Sequence, residues 1–313
     1  MKKNILISGV NGFIGSHIAH ALRSNYNIIG TDTNSICFKN NVDYYYQFIL
    51  PDENINKIFE QFSIDWCIHC AGSASVLFSI ENPVTDYNSG PNVVINLLEA
   101  IRNSKNKTKI MFFSSAAVYG NPESLPIRES DRKKPISPYG YHKLISENIL
   151  EEYRQIYGIS SVIFRLFSAY GNDLRKQIVW DACNKLSMPE PVFWGTGNET
   201  RDFIHINDIC KIIEIFIKKN IEKGIYNIAN GLEIKIRDLV NILADNFDIP
   251  NEKIIFNGVN KSGNPERWIA NIAPITDIGY VPSTDICWGL KQYVEWFKLN
   301  KMILQKSRED KWI

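Results

Sequence analysis

The stretch Asn4-Ile-Leu-Ile-Ser-Gly-Val-Asn-Gly-Phe-Ile-Gly15 decides how the rest of the chain is read. Residues 4–8 form a short, nearly continuous apolar run, the pattern of a strand buried on both faces. Gly9, Gly12 and Gly15 follow at G-x-x-G-x-x-G spacing, and a helical pattern runs over 15–24. Glycine lets a backbone turn tightly and approach a pyrophosphate, which then rests on the positive helix N-terminus. Gly9, Gly12, Phe13, Ile14 and Gly15 are therefore candidate cofactor contacts. The spacing differs from G-x-G-x-x-G, but its strand–turn–helix context is the required one. Asp32 closes the next apolar run, 27–31. Its carboxylate can accept from ribose hydroxyls and would repel a 2′-phosphate, which favours NAD(H) and leaves NADP(H) open.

The alternation continues outward from there. Strands are expected at 66–70, 109–114 and 161–166, and helices at 55–62, 93–102 and 141–157. This order predicts an α/β fold, a Rossmann-like doubly wound parallel sheet with helices on both faces. The second half is less regular. Helices are expected at 208–221, 236–246 and 290–299, a strand at 224–228, and Pro/Gly-rich loops at 188–197 and 258–265. A chain of 313 residues suggests two domains at ~150 residues each. Residues 1–167, with about 202–228, are assigned to a dinucleotide-binding domain; 168–201 and 229–313 are assigned to a smaller mixed α/β substrate domain.

Composition excludes several classes of protein. Hydrophobic residues at 44% and charged residues at 22% are ordinary for a globular protein that buries its own core. Lys and Arg number 35 against 34 Asp and Glu, so a nucleic-acid partner is not expected. Apolar runs such as 212–217 stop well short of the ~20 residues of a membrane helix. The start, Met1-Lys2-Lys3, carries no signal-peptide pattern. Six cysteines in this length make no disulfide framework, so a cytoplasmic protein with reduced thiols is expected.

Tyr139-Gly-Tyr-His-Lys143 opens the long helix. Y-x-x-x-K spacing puts both side chains on one helical face. An ammonium beside the phenol is expected to lower its pKa from ~10 toward the working pH. Tyr139 then becomes a candidate acid/base at an alcohol carbon. Ser114 and Ser115 end the preceding strand, where doubly wound folds keep their ligands.

These residues together resemble the extended short-chain dehydrogenase/reductase family, in its nucleotide-sugar epimerase, dehydratase and reductase branch. The resemblance covers essentially the whole chain. His69-Cys-Ala-Gly72 is similar to the family's H-x-A-A, which implies cofactor contacts from Ala71 and Gly72. Asn88 and the segment 92–100 resemble N-x-x-G-T…L-L-E-A, and 114–120 resembles S-S-x-x-V-Y-G. Thr200-Arg-Asp-Phe-Ile-His-Ile-Asn-Asp208 is very close to R-D-F-I-H-V-D-D, and Asn264-Pro-Glu-Arg-Trp268 resembles the late arginine segment. The resemblance implies a nucleotide-diphosphate sugar as substrate and hydride transfer between a sugar carbon and the nicotinamide. Tyr139 would be the acid/base, Lys143 would hold the nicotinamide ribose, and Ser115 would hydrogen-bond the reacting oxygen. Arg201 and Arg267 would face the diphosphate, where a planar guanidinium donates two bonds. Relatives also imply a homodimer built on the 93–102 and 141–157 helices.

Departures from the family pattern narrow the choice. Ala116 and Ala117 stand where the dehydratases carry an acidic pair, so a 4,6-dehydratase is not expected. Ser168 replaces an Asn before Tyr170-Gly171, and 171–181 lacks the paired Asn of the galactose epimerases. Residues 48–51 carry no acid for the adenine. The leading expectation is a reductase of a 4-keto-6-deoxy nucleotide sugar for surface polysaccharide. The alternative is a 4-epimerase with retained NAD, of the UDP-glucose or UDP-N-acetylglucosamine type. A catalytically silent nucleotide-binding scaffold is a minor third. Cys67-Ile-His-Cys70 lacks a second pair for zinc, so no metal is expected. His69 and His205 are assigned structural places, the Tyr44–Tyr46 triplet an edge strand, and Lys218-Lys219 and Arg132-Lys133-Lys134 solvated faces.

Overall fold

Short Ile-, Val- and Phe-rich runs pair side by side because each is apolar on both faces and must be covered twice. The computed structural model describes residues 2–259 and 265–309, so Asn264 and the centre of the 258–265 loop lie outside the described residues. The strands are β1 (Asn4–Ser8), β2 (Asn27–Asp32), β3 (Tyr44–Gln47), β4 (Ile64–His69), β5 (Lys109–Ser115), β6 (Ser161–Leu166), β7 (Ser168–Tyr170), β8 (Val192–Phe193), β9 (Thr200–His205), β10 (Gly224–Ile228), β11 (Glu233–Lys235) and β12 (Ile255–Phe256). The helices are α1 (Phe13–Leu22), α2 (Ile55–Gln61), α3 (Val76–Glu81), α4 (Pro83–Ser89), α5 (Pro91–Asn103), α6 (Pro138–Tyr157), α7 (Gln177–Leu186), α8 (Ile206–Lys219), α9 (Ile236–Asp245), α10 (Ala273–Asp277) and α11 (Ile286–Glu309).

Seven strands form one parallel sheet in the order β10-β6-β5-β4-β1-β2-β3. The chain winds outward from β1 to β3 and then returns to β4 on the other side of β1. That reversal opens a crevice at the C-terminal ends of β1 and β4. The Tyr44–Tyr46 triplet is the edge strand. One face of the sheet packs Ile18 and Leu22 of α1 with Ile209 and Phe216 of α8. The other packs Ile58 of α2, Leu97 of α5 and Leu150 of α6. β7, β9 and β11 form a three-stranded sheet, β8 and β12 a two-stranded one, and α7, α9 and α11 share a third core with them. No helix among the described residues is long and apolar enough to cross a membrane.

Helix starts fall earlier than the apolar periodicity predicts. α6 begins at Pro138 because Ser137 caps it, its Oγ accepting from Gly140 N at 3.2 Å, and proline suits the first helical position. α6 is then anchored from within. Glu147, 4% exposed, takes Nε and Nη2 of Arg165 at 3.1 and 2.7 Å and the Ser114 hydroxyl at 2.5 Å. Arg165 Nη1 continues to the Tyr119 hydroxyl and to Glu129 O. Removing one partner of a buried ion pair strands the other charge. Glu147→Ala is expected to lose about 3–5 kcal/mol of unfolding free energy, read by urea denaturation. A loss equal to that of an exposed Glu→Ala control would contradict the buried pairing.

Candidate functional site

The glycine turn is closed by backbone contacts that leave no room for side chains. Gly9 sits at φ +75°, and a Cβ there would meet Ala71 N at 2.7 Å; a Cβ on Gly15 would meet Gly9 O at 2.3 Å. Strand β1, the start of α1 and the end of β4 therefore meet at Gly9, Gly15 and Ala71. A Cβ on Gly72, at φ +114°, would meet Ser89 O at 2.9 Å. Gly12 caps α1 without a side-chain acceptor, so no side chain covers the first-turn N–H groups of Phe13 and Ile14. That is the cradle a pyrophosphate needs. Asp32 stands beside it, with Oδ2 accepting from Asn11 N at 2.9 Å and Oδ1 from Thr33 N at 2.8 Å. The residues present thus fit a dinucleotide. Asp52 follows the acid-free run 48–51 directly, but its Oδ1 is taken by Asn54.

At the other end of the crevice, Ser115 ends β5 and Tyr139 and Lys143 lie one turn apart on α6. The Ser79 hydroxyl of α3 accepts from Tyr139 N at 3.0 Å and fixes the start of that helix. Tyr139 and Lys143 line one cleft with His69, Ala71, Ser73 and Phe112. The expected fall of the tyrosine pKa is not found. Burial pushes the Tyr139 phenol up to about 12; the Ser115 hydroxyl pulls against that rise and Asp86 adds to it. Lys143 Nζ instead donates to Phe113 O at 2.8 Å and sits 5.8 Å from the Tyr139 ring centre. Burial also pulls the Lys143 ammonium down to about 8. Both shifts have one cause, because a dry cleft disfavours charge of either sign.

Sequence reasoning missed a pair in the same cleft. Asp86 of α4 is 3% exposed, and its Oδ2 lies 2.6 Å from His142 Nδ1. His142 precedes Lys143 inside the Y-x-x-x-K run, which is the only local signal for it. Asp86 gives none, because α4 meets α6 only in the folded chain. Lys176, before α7, is a second unread residue; its charge acts on Lys143.

The two expected diphosphate arginines differ. Arg201 has no ion-pair partner among the described residues; it donates to Thr200 O at 2.7 Å and lies over the Trp268 ring. Burial pulls its guanidinium down to about 10, the condition of a cation awaiting an anion. Arg267 is exposed and holds Glu233 through two bonds of 2.8 Å. An isolated bridge between Thr200 of β9 and Arg267 keeps the two arginines close. Ser168 is half-buried at the start of β7, opposite Phe203 of β9.

The remaining candidates have structural partners. His69 Nδ1 meets the Ser8 hydroxyl at 2.7 Å, and burial takes it down to about 3. His205 caps α8 through Asn207 N. Asn88 and Asn92 pair with each other at 2.7 Å on the surface, outside the cleft. Burial pushes the Cys67 thiol up to about 12. No group of three His, Cys, Asp or Glu among the described residues could hold a metal ion.

A family model described as the NAD-dependent epimerase/dehydratase family matches residues 5–229. A protein of Methanocaldococcus jannaschii, named by inference a UDP-glucose 4-epimerase, is 32% identical over 95% of this chain and 99% of its own. The UDP-N-acetylglucosamine 4-epimerase of Methanobrevibacter ruminantium, solved with UDP-N-acetylmuramic acid, superposes with a TM-score of 0.86 at 27% identity, over 96% of this chain and 100% of its own. The UDP-glucuronic acid 4-epimerase of Bacillus cereus, solved with UDP-glucuronic acid and NAD, gives 0.85 at 25% identity, over 95% and 99%.

The glycine contacts generate a direct test. Gly15→Ala forces the turn apart and is expected to lose about 1–3 kcal/mol of stability and at least tenfold in dinucleotide affinity. Calorimetric titration measures the second effect; unchanged affinity would remove the turn from the binding site.

Proposed function

The chain belongs to the NAD-dependent epimerase/dehydratase family, and from that premise we propose that it is a UDP-hexose 4-epimerase that retains its NAD through the cycle. The observation that carries the reading is the pairing of an acid/base group, Ser115 with Tyr139 and Lys143, with Arg201, which has no ion pair among the described residues, in a chain aligned over nearly its whole length with 4-epimerases. The relatives lend no support to the 4-keto reductase favoured on the strength of Ser168 and the missing Asn pair.

The glycine turn and Asp32 would hold NAD, which when bound would supply the hydride acceptor and donor. Tyr139 takes the proton of the C4 hydroxyl and later returns it to the same oxygen, with Ser115 hydrogen-bonded to that oxygen throughout. A proton kept within one group needs no exchange with solvent; Tyr139 has to enter this step as the phenolate, against the burial that raises its pKa. Lys143 holds the nicotinamide ribose and, as an ammonium, favours the phenolate. Arg201 binds the diphosphate with a fork of donors, and Arg267 would join it by releasing Glu233. Exposed apolar side chains on α3 to α6, among them Leu77, Val84 and Tyr141, support the expected homodimer; a monomer by sedimentation would refute it.

The purified protein is expected to release close to one NAD per chain on denaturation, and to interconvert a UDP-hexose with its C4 epimer without added cofactor. Tyr139→Phe is expected to lower kcat by about 10²–10⁴ while NAD remains bound. Protein free of NAD that consumes NADH only with a 4-keto sugar would restore the reductase reading.

A further inference from the structure

Asp86 takes part in none of the steps above, yet it is the carboxylate buried beside Lys143 and Tyr139. Its side chain has one hydrogen-bonding partner among the described residues, His142. A carboxylate oxygen can only accept, so His142 Nδ1 carries the hydrogen of that 2.6 Å bond. The Tyr87 ring meets the imidazole edge-on at 5.3 Å. Asp86, His142, Tyr139 and Lys143 line the same cleft. A buried carboxylate without a cation costs several kcal/mol, and the imidazole supplies one only when protonated; Lys143, which lines the same cleft, has no ion pair among the described residues.

Lys143 meets few other charges. On α6 it faces Tyr139 and Glu147, and Glu147 is engaged by Arg165. At the end of β4 it faces His69 and Cys70, and burial keeps both neutral by lowering the imidazole and raising the thiol. From the loop before α7 comes Lys176, a like charge. Asp86 is bonded to the His142 imidazole, which is a cation only when protonated, and among the charged groups in the cleft Asp86 opposes the loss of the Lys143 proton most strongly.

We propose that Asp86, oriented by His142, is the counter-ion of the Lys143 ammonium, a positioning pair that keeps this lysine charged in a dry cleft. The proposal rests on the reading of Lys143 as the residue that holds the cofactor and supports Tyr139. A neutral Lys143 would give up a donor to the ribose and the field that favours the phenolate. Asp86 and His142 touch neither reacting atom; they act through Lys143.

Acetylation of Lys143 by acetic anhydride across pH, read by peptide mass spectrometry at matched NAD content, follows the titration of the amine without any substrate. Asp86→Asn, which keeps the shape and an acceptor for His142, is expected to move the midpoint down by at least one pH unit, about a tenfold change in the amine-to-ammonium ratio. Should that variant not accumulate in folded form, Asp86→Ser serves in its place. His142→Gln, which retains a donor, is expected to stay close to the parent, and His142→Phe to move as Asp86→Asn does. In the UDP-hexose assay the alkaline limb of kcat/KM should move down by the same amount; a purely structural role would lower the plateau and leave the limb in place. Superimposable labelling curves for the parent and Asp86→Asn would overturn the pair. A shifted labelling curve in a parent without epimerase activity would sustain the pair and count against the epimerase reading.

Discussion

The ion pair between Glu147 and Arg165 is the interaction on which the site depends. Tyr139, Lys143 and Glu147 recur every fourth residue, so they share one stripe of α6. Glu147 ends that stripe inside the protein, bound to Ser114 of β5 and Arg165 of β6. The strand that presents Ser115 and the helix that presents Tyr139 are thereby locked at a fixed rotation. Tyr119 and Asn227 extend the network to β10, with Tyr119 donating to Asn227 Oδ1 at 2.7 Å. A buried network of this kind tolerates no partial loss, because each donor or acceptor left alone bears its full desolvation cost.

Dryness is the second constraint. The same burial raises a phenol, lowers an ammonium and silences an imidazole within one cleft. Tyr139 therefore begins as a firm proton holder, and any lysine that is to act on it must be kept charged by something else. The helix pitch places His142 one residue from Lys143, and α4 brings Asp86 to it. Chemistry at an alcohol carbon gains from such a cleft, since charges exert stronger fields where water is excluded.

The smaller sheets complete the substrate end by a different device. Asp202, fully buried on β9, accepts from Asn230 N, Gly231 N and Ala270 N at 2.9, 3.0 and 3.1 Å. One carboxylate thus gathers two separate backbone segments, 230–231 and 270, next to Arg201. Trp268 adds a bond from its indole N–H to Gly120 O and offers its ring to Arg201. The guanidinium is held over an aromatic face and has no ion pair among the described residues, the kind of group that can donate a fork of bonds to an anion.

Glycine spacing, strand–helix alternation, the serine at the end of β5 and the Tyr–Lys spacing are constraints between residues close in sequence. They were legible without coordinates, because a turn, a helical face or a buried strand imposes them locally. The Asp202 clamp, the freedom of Arg201 and the ion pair of Arg267 were not, since each depends on a partner tens of residues away. The direction of the Tyr139 shift was misread for the same reason: spacing tells that an ammonium is near, while burial, which wins, is a property of the assembled cleft. By itself the sequence determined the Rossmann-like fold and marked Ser115, Tyr139 and Lys143 as the candidate side chains, through short-range geometry. Only the tertiary structure decided their protonation and brought Asp86 to His142, because desolvation and long-range charge exist only once the helices have closed over the sheet.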